Sequence, residues 1–73
     1  MSAMAAVHVG VVGAYDSTRG LGTVREGEIE HAFHCTAISD GTREIDAGTA
    51  VAFVLVPRHG GLFEARSVTK LVS

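Results

Sequence analysis

Nine glycines fall at positions 10, 13, 20, 22, 27, 41, 48, 60 and 61 of a 73-residue chain. They leave few windows that reach the length a packed helix wants. Ten valines, three isoleucines and six threonines supply branched β-carbons, which suit a pleated surface. Turn signals at Asp16-Ser-Thr, Arg25-Glu-Gly, Asp40-Gly, Asp46-Ala-Gly and His59-Gly-Gly recur at strand-like spacing. The expected fold is therefore all-β: a small barrel of five short antiparallel strands. The strands are predicted at about Val7–Tyr15, Leu21–Arg25, Ile29–Cys35, Ala50–Val56 and Phe63–Val72.

Alternation assigns the faces. Val51, Phe53 and Leu55 share one side of the fourth strand and should fill the core. Val12, Val24, Phe33 and Ile38 join them, and Phe63 is placed there too, with a new platform element as the alternative. The segment Thr36-Ala-Ile38 is expected to open a tight 3₁₀-like turn, with Ile38 plugging one end of the barrel. Pro57 should end the fourth strand, because it cannot donate a ladder hydrogen bond.

The length fits one small domain over residues 1–73. A single cysteine, Cys35, rules out an internal disulfide and suits a reducing cytoplasm. The start lacks a basic region and every apolar run is interrupted, so neither a signal peptide nor a membrane span is expected. The formal net charge of -2 does not by itself point to a polyanion.

No G-x-S-x-G, Walker loop, dinucleotide fingerprint or carboxylate pair is present, so no enzyme and no cofactor are expected. Cys35 lacks the base and orienting group that a nucleophile needs and reads as a small buried thiol. His31 and His34 are three apart on a strand and point to opposite faces, so they cannot share a metal ion without a bulge.

Three segments carry a resemblance. Gly10-Val-Val-Gly-Ala-Tyr-Asp16, Arg19-Gly-Leu-Gly-Thr-Val24 and His31-Ala-Phe-His-Cys-Thr-Ala-Ile38 stand in register with G-x-V-K-W-F-N, K-G-F-G-F-I and V-F-V-H-F-S-A-I. Those are the strand motifs of the cold-shock domain family. Asp40-Gly41, Ile45, Gly48, Val51, Phe53, Gly61, Ala65 and Val68-Thr-Lys70 continue the series, so that Val9 to Leu71 resembles the family throughout. The resemblance implies a five-stranded OB-type Greek-key barrel that binds single-stranded RNA or DNA, with an RNA-chaperone or regulatory role.

The resemblance also implies where binding occurs. A sequence-tolerant binder of single strands offers aromatic platforms to bases and cations to phosphates. Ala14 stands at the family's tryptophan and Tyr15 at the adjoining aromatic. Leu21 and Thr23 stand at the second-strand phenylalanines, and Ala32, His34 and Cys35 at the phenylalanine, histidine and phenylalanine of the third. Only Tyr15 and His34 keep a ring. At about 1 kcal/mol for each lost platform, binding should be weak. Arg19 replaces the family's lysine and reads as a phosphate contact or as a solvated turn residue; Arg43 adds a second charge. Tyr15 and His34 read as stacking residues, with a structural role in the strand as the alternative.

A second use of the same barrel stays open. Ala14, Leu21, Ala32 and Cys35 leave an uncharged apolar patch, and Ala50, Ala52, Val54 and Val56 make the outer side of the fourth strand apolar. Such a surface suits a protein partner or a second copy of the chain.

Overall fold

The alternation seen in the sequence becomes five strands in the computed structural model, which describes residues 6–71. β1 runs His8–Asp16, β2 Leu21–Glu26, β3 Ile29–His34, β4 Ala50–Pro57 and β5 Phe63–Lys70. The expected bounds differ by a residue or two, and the expected end of the last strand at Val72 lies outside the described residues. Cys35 leaves the strand it was assigned to. Its N–H donates to the Gly20 carbonyl at 2.8 Å, and it opens a 3₁₀ turn over Cys35–Ala37. No helix among the described residues is long and apolar enough to cross a membrane.

The strands close into a barrel in the order β1-β2-β3-β5-β4, the topology of an OB-type barrel. Four of the junctions are antiparallel. The closing junction is not: β3 and β5 run parallel and share one pairing, Ala32 with Glu64. An isolated bridge between Ile38 and Val68 extends that seam.

Val12, Val24, Phe33, Ile38, Val51 and Phe53 are all buried, as the alternation requires, with Ala37, Ile45, Ala65 and Val68 beside them. Each large side chain so buried contributes on the order of 1.5–3 kcal/mol. Leu55 is half-buried and packs against this cluster. Phe63 departs from expectation, being 52% exposed. It has the inward parity of Ala65, but it pairs with Pro57 at the last rung of β4, beyond the point where the barrel has an interior.

The inner row Val12–Val24–His31 brings one imidazole inside. His31 tilts against Phe53, and His8 stacks on the same ring with centroids 5.6 Å apart. Both histidines meet the Glu26 carboxylate, His8 at 2.8 Å and His31 at 3.3 Å. The buried polar ring is thereby satisfied. The long connection before β4 is pinned as well: Lys70 meets Asp40 at 2.8 Å, and Ile45 enters the core.

Candidate nucleic-acid interface

A bulge in β1 sets the geometry of the face. Register shifts between Val12 and Ala14, so that Ala14 pairs with Thr23 and Tyr15 with Gly22. Continued across β3, this gives three rows. Ala14, Thr23 and Ala32 form one on the outer surface, and Asp16, Leu21 and His34 form another at the strand ends. Tyr15, Gly22 and Phe33 form the third, turned inward.

Gly22 makes the inward row possible. A Cβ there would lie 2.7 Å from Phe33 Cζ and 2.8 Å from the Ala14 carbonyl oxygen, too close for either. With only hydrogen at that point, the Tyr15 and Phe33 rings stack nearly parallel, their centroids 5.8 Å apart. The Tyr15 hydroxyl donates to the Arg43 carbonyl and so ties the long connection to β1. Loss of hydration, reinforced by Cys35 and Glu44, raises the Tyr15 pKa, and Arg43 opposes the rise. Tyr15 is thus held on one ring face and at its tip.

The short outer row leaves a depression of about 520 Å³. Tyr15, Arg19, Leu21, Thr23 and Ala32 all line it, as does Ala14. A smaller hollow of about 100 Å³ adjoins it and is lined in part by His34 and Ala32. His34 is exposed, its Nδ1 3.4 Å from Thr36 Oγ1. Cys35 is half-buried rather than buried and lines neither hollow; its Sγ lies 3.8 Å from His34 Nδ1. Arg43 reaches the site through its backbone, the acceptor for Tyr15.

One residue escaped the sequence reading. Arg58 follows Pro57 and lines both hollows. Its signal was a cation in the turn before Gly60-Gly61, but only closure of the barrel carries that turn to β2 and β3. Neither Arg19 nor Arg58 has an ion pair among the described residues, whereas Arg66 and Lys70 are paired with Glu64 and Asp40. Among the described residues the one carboxylate on the main depression, Asp16, accepts from the backbone N–H groups of Thr18 and Arg19.

No protein-family model matches the chain, and no curated protein matches it. Solved structures do. The chain is similar to the structure titled "drosophila Unr CSD456", with a TM-score of 0.78 and 24% sequence identity. The match covers 93% of this chain and 28% of that one, so the chain spans little more than a quarter of the Unr structure's length. At this identity the likeness establishes the fold: the barrel is cold-shock-like.

Proposed function

We propose that this barrel binds single-stranded RNA or DNA through the outer face of β1, β2 and β3, weakly and with little sequence preference, as an RNA chaperone or regulator. One observation carries the reading. Arg19 and Arg58, which have no ion pair among the described residues, border an apolar depression on a cold-shock-like barrel. Apolar surface takes the face of an unstacked base and the guanidinium groups take phosphates. Leu21, 48% exposed, packs on a base without the quadrupole of a ring, so each contact is worth less than an aromatic one.

Titration of a short pyrimidine-rich single strand tests the reading. Binding should be micromolar or weaker at low salt and should weaken further as salt rises, with a shallow slope because few phosphates are contacted. No binding at low salt overturns it. Concentration-dependent dimerisation in that case would favour the second reading, a protein-interaction surface. Val9 and Val11, 60% and 41% exposed, lie beside Ala52 and Ala50 on the outer face of β1 and β4 and give that reading its support.

A further inference from the structure

The depression lies where three adjacent strands each present a short side chain. Resting on the nucleic-acid reading above, we propose that it takes a single base of a single strand, whose flanking phosphates are held by Arg19 and Arg58. Three adjacent strands contribute Ala14, Thr23 and Ala32 at one register level, and their short side chains sink the surface below Leu21 and Tyr15. Its volume of about 520 Å³ leaves ample room for a base to enter. The hollow beside His34 is about 100 Å³, a smaller surface than the depression it adjoins.

The two rings of the inward row are committed. Tyr15 stacks on Phe33 and is tethered at its hydroxyl, so it stands as a wall and cannot swing out as a platform. Phe33 is 2% exposed. A base gains by entering the depression, while its neighbours along the strand meet only Leu21 and the smaller hollow beside His34.

Charge selects the occupant. Arg19 comes from the β1–β2 turn, while Arg58 also borders the hollow at Ala32 and Glu64 and so comes from the flank where β3 meets β5. With the Asp16 carboxylate occupied by the Thr18 and Arg19 N–H groups, cations arriving from two flanks of an apolar floor complement a ring that has a phosphate on each side. A nucleotide within a strand meets that description. A free nucleotide, with phosphate on one side only, does not.

The test uses single strands of about eight nucleotides at low salt. One strand carries all its bases, one carries a single central base on an otherwise abasic backbone, and one is fully abasic. The single-base strand should bind within about threefold of the full strand, and the abasic strand should bind about five- to a hundredfold more weakly. Ala32→Leu, which fills the floor from a position outside the core, should remove most of the advantage of the single base and leave the melting temperature near the parent's. A stepwise loss of affinity with each base removed would overturn the single-base site and leave the nucleic-acid reading standing. Equal binding of all three strands would also overturn it, because charge alone would then suffice. Failure of every strand to bind would overturn both.

Discussion

Tyr15 and Phe33 lie on either side of Gly22 with their ring planes 4° apart, joining the first strand to the third across a residue with no side chain. The contact seals one end of the core. It also fixes the wall of the depression, so packing and the proposed binding face share a residue.

Gly22→Ala should therefore disturb both. The added methyl meets Phe33 and the Ala14 carbonyl, and overpacking of this kind costs on the order of 1–3 kcal/mol. Urea denaturation of parent and variant measures the loss. A variant as stable as the parent would mean that the rings have room to separate.

Phe53 is the hub of the other end, carrying His8 and His31 on its ring. Phe53→Ala should cost about 3–5 kcal/mol, enough to unfold a domain of this size. Thermal melting followed by circular dichroism reads it directly. A melt within a few degrees of the parent would show that Phe53 is not central to the core.

Two carboxylates make the fold acid-sensitive. The ammonium of Lys70, together with the Thr42 N–H and hydroxyl, lowers the Asp40 pKa from 3.8 to about 2. Hydrogen bonds from His8 and then His31 lower that of Glu26 against the opposing effect of desolvation. Both values are depressed on folding, so their stabilisation is full above the ordinary carboxylate range and is lost as pH falls through the folded values. Carboxyl titration by NMR should find Asp40 near 2 in the parent. In Lys70→Ala it should rise but stay below 3.8, because both Thr42 donors remain. An unchanged value would remove Lys70 as the main cause.

Ala14→Trp combined with Thr23→Phe should rebuild a platform on a directly paired position of β1 and β2. A fully based single strand should then bind about ten- to a thousandfold more tightly, since two stacking surfaces return. A strand with one base should fall behind it, because the depression is filled. Equilibrium titration of both strands separates the two effects. No gain for the full strand would show that this face does not stack bases.

Much of this was legible in the sequence because strand faces follow a period of two. Val12, Val24, Phe33, Val51 and Phe53 obey it and are buried. Where the period breaks, legibility ends. The β1 bulge turns Tyr15 inward beside Phe33, which no count of alternating residues anticipates. Phe63 has the parity of a core residue and the position of a rim residue. Arg58 joins the site only because β5 closes the barrel against β3, a long-range consequence of closure that local spacing does not carry.

The single pairing of Ala32 with Glu64 has a mechanical meaning. β2 and β3 are joined along six paired positions, while β3 and β5 meet at one, with only the Ile38–Val68 bridge beyond it. The barrel is a hoop with a clasp, and thermal breathing should begin where the clasp has least backbone to hold it. Ala32 and Arg58 stand at that clasp and line the same depression. Whatever rests on both would work as a bolt through it. Occupancy should register first as slower amide exchange along β3 and β5, even when the melting temperature of the whole domain has barely moved.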